Sequence, residues 1–444
     1  MKALGIDIGT TSICVICYEK ESGEIVESLS RPNLFLPRTF CQDPEKILEE
    51  IRKMLEKLET PKEQIQGIGI SAQMHGILYV DEKGEAVSPY YTWKDESGKE
   101  SFRQTLSYAG YLSRETGFSL FSGYGTVTHF VLQRQGKIPQ GAVRMCNIGD
   151  YAAMRLTGSR TPRTEASVAA SFGGFDPEKR DFGLERLSRA GVDTRYYPEI
   201  AGTKEVAGFW EGIPVFCAWG DNQASFYGAV GRDRETISVN VGTGSQVSLF
   251  DARFTETEAA ETRPYLDLGY LYVGASLNGG KVYERLAAFW QEAFESLGVK
   301  VDVYQWMERV GRERENTSLE LEPALYGARG KSGEGGRMRN LTAANFHASD
   351  VIRAFVKGMA EELYGMYEAF PEELKKGRSK IAVSGNGIRK NRLLQQEVER
   401  AFGMPLVIRS IQEEAAAGAA MLALRYLEDG ENGRRYQSED NCWN

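Results

Sequence analysis

The spacing of apolar residues changes along this chain, and the changes recur in one order. Residues 3–7, 12–19 and 24–30 read as three strands, with Ser22-Gly23 turning the last two. The period then lengthens. Asp43 is a natural helix N-cap with Pro44 at the first helical position, and Ile47, Leu48, Ile51, Leu55 and Leu58 fall on one face. A short apolar strand over 65–70 ends in Ser71-Ala72-Gln73. The second half repeats this β-β-β-α-β order loosely. It has paired strands over 236–250, a strand over 271–277, an amphipathic helix over 350–370 and a strand over 380–383 ending in Ser384-Gly385-Asn386. Helices over 391–402 and 412–427 follow. The second of these carries Ala415-Ala416-Ala417-Gly418-Ala419-Ala420, small residues that permit close packing. The polar stretch 429–444 reads as a frayed tail.

One turn is nearly duplicated. Ile6-Asp7-Ile8-Gly9-Thr10-Thr11-Ser12 returns as Val239-Asn240-Val241-Gly242-Thr243-Gly244-Ser245 at a constant offset of 233 residues. In each copy a strand enters a tight turn of Gly, Thr or Ser and leaves as a second strand. Such a turn offers backbone N–H groups and hydroxyls without bulk, which suits phosphate. Asp7 in the first copy can recruit a cation, and Asn240 in the second cannot add charge. Two such cradles on related halves predict a duplicated domain around one phosphorylated ligand, with the boundary near Gly231-Arg232-Asp233.

Composition narrows the class. The 444 residues suffice for two or three full cores, and 54 Lys and Arg against 62 Asp and Glu give a net charge of −8. That balance argues against nucleic-acid binding. No apolar run reads as a membrane span or signal peptide, so a cytoplasmic enzyme is expected. Cys14 and Cys17 match C-x-x-C, but residues three apart on a strand face opposite sides, so the six Cys read as reduced thiols. With three His in the chain, a His-based metal site is not expected. Gly330-Lys331-Ser332 imitates the end of a P-loop, but the required first glycine is Leu325.

Gly5 to Thr11, Ser71-Ala72-Gln73-Met74-His75-Gly76, Thr92-Trp93-Lys94-Asp95, Gly220-Asp221-Asn222-Gln223, the second Gly-Thr-Gly and the loop 384–391 occur in the order seen in FGGY-family carbohydrate kinases. The chain resembles that family over roughly residues 1 to 427. The resemblance implies an α/β fold of two duplicated actin-like (ribonuclease H-like) ATPase domains with mixed sheets and a cleft between them. It also implies ATP and Mg²⁺ as cofactors, and a sugar acceptor. Gln73-Met74-His75-Gly76 looks like the ketose kinases. Ala275-Ser276-Leu277-Asn278-Gly279-Gly280 and Ser384-Gly385-Asn386-Gly387 look closer to sedoheptulokinase than to xylulokinase.

The expected domains are 1–230, holding the sugar pocket and first phosphate loop, 231–428, holding the second loop and the adenosine site, and the tail 429–444. Asp221, after an apolar strand, is the expected general base, accepting the proton of the attacking hydroxyl, and with Asp7 the expected metal site. Gln73, Met74, His75, Trp93, Asp95 and Asn222 form the expected sugar pocket. Thr10, Thr11, Gly242, Thr243, Gly244, Gly279 and Gly280 are expected at the phosphates, and Gly385, Asn386 and Asn391 at the adenosine. The resemblance implies no nucleic-acid or membrane partner, and a homodimer stays open. One position departs from the family. Where members often carry Lys or Arg, three residues beyond Thr11, this chain has Cys14. Another cation must then serve, Mg²⁺ must carry more of the charge, or turnover is slow, as in a kinase-derived sugar sensor. An actin- or Hsp70-like ATPase without sugar chemistry is the alternative class, and the sugar-pocket motifs argue against it.

Overall fold

The computed structural model describes residues 1–103, 105–327, 335–408, 411 and 413–440, so the Gly330-Lys331-Ser332 motif lies outside the described residues. The chain divides into two compact units. The first comprises Met1–Gly231, Arg263–Asp267 and Ile411–Asn444, the second Arg232–Thr262 and Leu268–Ser410.

The first unit opens with β1 (Lys2–Ile8), β2 (Ser12–Glu19) and β3 (Glu24–Pro32), paired antiparallel in succession. Helix α1 (Pro44–Glu56) starts where the sequence predicts. The Asp43 carboxylate accepts from the backbone N–H groups of Glu45 and Lys46 at 3.1 and 3.2 Å. Its buried face, Ile47, Leu48, Ile51, Met54 and Leu55, joins Ile6, Ile8, Val15, Ile68 and Ile70 in one core. β4 (Ile65–Ala72) then pairs parallel with β1. After helix α2 (Gly125–Arg134) come β5 (Val206–Trp210), β6 (Ile213–Phe216) and the short β7 (Trp219–Gly220), and then helix α3 (Asp221–Ala229). The sheet order is β5-β6-β4-β1-β2-β3, with β7 also on β4.

The second unit repeats the plan. β8 (Thr236–Val241) pairs antiparallel with β9 (Ser245–Asp251). β10 (Glu261–Tyr265), of which Arg263, Pro264 and Tyr265 belong to the first unit, and β11 (Gly269–Ser276) follow, then helices α4 (Gly280–Ser296), α5 (Val303–Gly311) and α6 (Ala348–Glu368). β12 (Lys380–Ser384) pairs parallel with β8. Helix α7 (Arg392–Phe402) and β13 (Leu406–Val407) complete the order β10-β11-β9-β8-β12-β13. The duplication holds at the level of register. Asp7 lies opposite Ser71 across β1 and β4, and Asn240 lies opposite Ser384 across β8 and β12. The turns differ by one residue, however: Ile8 pairs with Ile13, whereas Val241 pairs with Ser245.

The division departs from the expected split at 230/231 and the expected end at 428. The last helix among the described residues, α8 (Glu414–Asp440), belongs to the first unit and runs into the expected tail. The small residues noted in the sequence explain where it goes. A β-carbon built on Gly5 of β1 would lie 1.9 Å from the Ala416 carbonyl oxygen, and one on Gly69 of β4 would lie 2.1 Å from that of Ala419. Side chains larger than Ala would hold the helix off the sheet. Its continuation past Asp429 tolerates Gly430 and Gly433 at a helix cost of about 1 kcal/mol each. Lys204 pairs with Asp429 at 2.8 Å, and Lys20 pairs with Glu428.

One buried His on α2 sets a pH limit. The His129 ring is fully buried, with the Tyr79 hydroxyl donating to Nδ1 at 2.6 Å and Nε2–H donating to the Asp193 carbonyl at 2.9 Å. Burial disfavours the imidazolium and pulls its pKa down to about 4. The neutral ring therefore contributes its full stability above the ordinary value of about 6.5 and loses it as pH falls from there towards 4. The span is worth about 3 kcal/mol. His129→Gln is expected to flatten this loss. Urea unfolding of both proteins at pH 7 and pH 5 measures it, the difference isolating this one group.

Candidate active site

Three parallel strand ends build the first part of the site. β4 pairs with β1 on one side and with β7 on the other, so Asp7, Ser71 and Trp219 align across the sheet, and Asp221 follows at the first turn of α3. This is the carboxyl edge of the strands, where open α/β sheets present ligand-binding groups. The Ser71 hydroxyl donates to Asp7 Oδ1 at 2.8 Å. Burial pushes Asp7 up to about 7, the neighbouring Asp221 carboxylate pushes further, Ser71 opposes, and Glu413 adds to the rise. Burial likewise raises Asp221 to about 6, against the pull of the Arg263 guanidinium and the Asn222 backbone N–H. Cys14 stands directly across from Asp7 on β2, its thiol pushed up to about 12 by burial and by Glu413. A neutral thiol therefore occupies the place where a cation was expected.

Around these carboxylates the expected sugar residues are fixed by polar contacts. Trp93 Nε1–H donates to the Thr10 hydroxyl at 2.9 Å, and that hydroxyl donates to Gln73 Oε1 at 3.1 Å. Gln73 Nε2 donates to Gln42 Oε1 at 2.8 Å, and Gln42 Nε2 returns to the Thr10 carbonyl at 2.8 Å. Gln73 is thus anchored, while the Trp93 indole stays 46 % exposed and its ring can meet a ligand. Met74 is buried. His75 has φ of +74°, a conformation costly for a side chain with a Cβ. Ser171 holds it there. The His75 N–H donates to Ser171 Oγ at 2.9 Å, His75 Nδ1–H donates to the Ser171 carbonyl at 2.7 Å, and Tyr124 stacks on the ring at 4.4 Å. Asp95 is partly committed, since Oδ1 accepts from the Ser97 N–H at 2.7 Å to close a turn. Asn222 follows Asp221 on α3 and is half-buried. Thr11 is exposed on the turn, its carbonyl accepting from Asn33 N–H at 2.9 Å.

The second unit holds a cavity of about 930 Å³. Its lining includes Asn240, Gly242, Thr243, Gly280, Gly385, Asn386 and Asn391, seven positions that the sequence reading singles out. Tyr283, Tyr304, Gln305, Glu308 and Lys390 also line it and were not legible as cavity residues. Three backbones converge. The Gly280 N–H donates to the Gly242 carbonyl at 2.7 Å, and a β-carbon on Gly280 would lie 2.7 Å from that oxygen and 3.7 Å from Gly387 Cα. Gly279 presses on Gly244 in the same way, at 2.2 Å. Gly280 also begins α4, whose first-turn N–H groups favour an anion. Asn391 caps α7, its side chain accepting from the Leu394 N–H at 3.0 Å. A nucleotide fits this set: small residues at the phosphate end and tyrosines with polar groups beyond. Gly280→Val is expected to weaken ATP binding about tenfold or more, because the added methyls fall on the converging backbones. Calorimetric titration with ATP checks it.

Among the described residues no group of three or more His, Cys, Asp or Glu could hold a metal ion. Mg²⁺ does not require one, since it binds through one or two carboxylates and keeps several waters. Two half-buried carboxylates, Asp7 and Asp221, of which the second raises the pKa of the first, fit such an ion, because a cation relieves their repulsion.

A strand–turn–strand unit with its returning parallel strand, occurring twice in equivalent register, defines the actin-like class of two-domain ATPase fold. Solved structures agree on the fold. Gluconate kinase from Lactobacillus acidophilus superposes with a TM-score of 0.79 at 21% identity, covering 96% of this chain and 89% of that one. Plasmodium falciparum glycerol kinase with ADP gives 0.80 at 18% identity, covering 96% and 90%. Residues 2–228 match the N-terminal domain of the FGGY family of carbohydrate kinases and residues 327–427 match its C-terminal domain, so the chain belongs to that family. Its curated relatives include the sedoheptulokinases of Mus musculus and Homo sapiens, 29% and 28% identical, each alignment covering 95% of this chain and 97% of the relative. The xylulose kinase of Streptomyces coelicolor is 24% identical over 96% of this chain and 88% of its own length. The protein is a carbohydrate kinase, and kinases of this family use ATP, typically with Mg²⁺. Among the described residues no helix is long and apolar enough to cross a membrane.

Proposed function

We propose that this kinase transfers the γ-phosphate of ATP to a terminal hydroxyl of a ketose, with sedoheptulose as first substrate and Asp221 as general base. The observation that carries the reading is the half-buried carboxylate of Asp221 at the strand edge, just after the Gly220 that pairs with Ala72 and packs on Met74. Similarity to sedoheptulokinases over nearly the full length of both chains supports the choice of sugar.

In this reading the amide of Gln73, the imidazole of His75, the carboxylate of Asp95 and the amide of Asn222 bind the hydroxyls, and the Trp93 indole lies on the C–H face of the sugar. Asp221 accepts the proton as the hydroxyl oxygen attacks the γ-phosphorus, and the bond from that phosphorus to the β,γ-bridging oxygen breaks, the oxygen leaving with ADP. Asp7, with Asp221, would hold Mg²⁺, partly through water, and the ion supplies charge neutralisation at the phosphates when bound. Thr10 and Thr11 on the first turn, and Thr243, Gly244 and the Gly279-Gly280 backbone on the second, are the phosphate contacts. Gly385, Asn386 and Asn391 take the adenosine. A homodimer is compatible with this reading and is not required by it.

D-Xylulose is the second reading, favoured by the similarity to a xylulose kinase over most of both chains. A coupled ADP-release assay across ketoses and polyols separates the two. Highest kcat/KM is expected with sedoheptulose. A clear preference for D-xylulose selects the second reading, and turnover with an aldonate or glycerol alone overturns both.

A further inference from the structure

We propose that the Thr10 hydroxyl and the Gln42 amide are positioning groups that join the acceptor site to the first phosphate turn, so that sugar and ATP bind cooperatively through them. The hydroxyl itself makes no contact with phosphate. The inference rests on the reading that Trp93 meets the sugar and that the first turn meets the phosphates.

Its first support is a ring of hydrogen bonds whose direction has one solution. The Thr10 carbonyl can only accept, so the nitrogen of the Gln42 amide faces it, at 2.8 Å. Gln42 Oε1 then faces Gln73, which presents Nε2 to it at 2.8 Å. That turns Gln73 Oε1 towards the Thr10 hydroxyl, 3.1 Å away, and an amide oxygen can only accept. The single hydrogen of the Thr10 hydroxyl is therefore committed to Gln73. An indole N–H can only donate, so the same hydroxyl oxygen accepts from Trp93 at 2.9 Å. No hydrogen is left for a phosphate oxygen, and Thr10 meets the ligand through its backbone. Gln42 and Gln73 are 0% and 1% exposed, so water offers neither amide another partner.

The backbone of the turn gives the second support. Phosphate binds to N–H groups, so a phosphate turn must keep its carbonyls off the anion. Four successive carbonyls of this turn are engaged by other donors. That of Ile8 accepts from the Gln73 N–H at 2.9 Å, and that of Gly9 from Asn33 Nδ2 at 2.8 Å. That of Thr10 accepts from Gln42, and that of Thr11 from the Asn33 N–H at 2.9 Å. Asn33 and Gln42 are both buried. Two of the four donors belong to Gln73 and its ring partner Gln42. The shape of the turn therefore depends on the residue that opens the sugar-pocket motif.

The third is the contrast between the two ends of the set. Gln42 and Gln73 are buried, whereas the Trp93 ring is exposed and only its N–H is tied to Thr10. A sugar packed on that ring restrains the indole, and a restrained indole holds the Thr10 hydroxyl in its committed orientation. The turn is then ordered before ATP arrives, so ATP binding no longer bears the cost of ordering it. Linkage makes the effect reciprocal, and ATP tightens sugar binding by the same factor.

Two calorimetric titrations test this. The first needs no sugar: ATP affinity of the parent, Trp93→Phe, Thr10→Val and the double variant. Phenylalanine keeps a ring but loses the N–H, and valine keeps the shape of threonine but loses the hydroxyl. W93F is expected to weaken ATP binding about fivefold and T10V about tenfold. The double variant should fall no more than about twofold below T10V, because the indole acts through that hydroxyl. Thr10→Ser, which keeps both hydrogen bonds, should stay within about twofold of the parent. A double variant about 50-fold weaker than the parent, the product of independent effects, overturns the proposal, since the hydroxyl would then serve phosphate directly. The second titration uses a non-hydrolysable ATP analogue with and without saturating ketose. The ketose is expected to tighten the analogue about fivefold in the parent and less than about twofold in T10V and in Gln42→Leu. A parent without this coupling, or T10V with the parent's factor, overturns the proposal. An ATP affinity that falls in Gly280→Val but in none of the Thr10, Gln42 and Trp93 variants removes the first turn from the phosphate site, and the underlying reading then fails together with the proposal. A parent that binds no ketose overturns the ketose reading instead, and the sugar-free cycle then decides alone.

Discussion

Asp221→Asn is expected to lower kcat by about 10³-fold while nucleotide affinity stays within about threefold of the parent. Asparagine keeps the shape of the side chain and an oxygen that can still accept from the Asn222 N–H. It loses the ability to take a proton. General base catalysis contributes about 10²- to 10⁴-fold in such reactions, so the amide should remove nearly all of it. The site of the change, at the first turn of α3 and the end of β7, leaves the second-unit cavity untouched. Coupled ADP release gives kcat, and calorimetric titration with ATP in Mg²⁺ gives the affinity. An active Asn variant refutes Asp221 as base. A fall in Mg²⁺-dependent affinity that matches the fall in kcat reassigns it to metal binding.

Gly418→Ala is expected to destabilise the protein, although alanine is the better helix former. Within a helix interior the exchange gains about 1 kcal/mol from backbone propensity. Packing opposes it. A β-carbon on Gly418 would lie 1.9 Å from the Ala224 carbonyl oxygen and 2.9 Å from the Gly228 backbone nitrogen, both on α3. Neither atom can swing aside as a side-chain tip could. Overpacking of this kind costs about 1–3 kcal/mol, so packing wins and the net loss for Ala is about 1 kcal/mol. Gly418→Val should cost about 3 kcal/mol or more, since valine also packs poorly into helix. For units of this size that corresponds to a fall of about 6–12 °C in unfolding midpoint. Differential scanning calorimetry of both variants measures it. A stabilised Ala variant would mean that α3 and α8 are further apart than described here.

These two sites differ in how they could be found. The strand–turn–strand repeat was legible because period-two patterning and a Gly-Thr turn are local signals. Its equivalence at Asp7/Ser71 and Asn240/Ser384 follows from parallel pairing of strands that the patterning already identified. The cap at Asp43 was legible for the same reason. The residues lining the second-unit cavity were named in advance where glycine spacing marked them, but Tyr283 and Tyr304 carry no local mark to separate a cavity wall from a core. The interlocked Trp93, Thr10, Gln73 and Gln42 could not be derived either, since each contact joins residues distant in sequence. Arg263 was least visible. It reads as an ordinary strand residue, and its assignment to the first unit depends on a five-residue excursion of the chain that no periodicity announces. The run of small residues in α8 announced close packing but not its partner, because Ala and Gly report how near a neighbour comes and not which neighbour it is.

The return of α8 to β1 also orders events during synthesis. Strand β1 is made before the second unit, and the helix that covers its Gly5 face is made after it. The second unit occupies nearly all of the chain between Gly231 and that helix. At about 5–20 residues per second the ribosome needs roughly 10–40 s to pass from Gly231 to the start of α8. The second unit can collapse during that interval, since all of its strands and helices precede α8 in the chain. The first unit waits with one face of its sheet bare. The unit begun before the other is completed after it, and the nascent chain is most exposed to wrong partners on the glycine-lined face that α8 will seal.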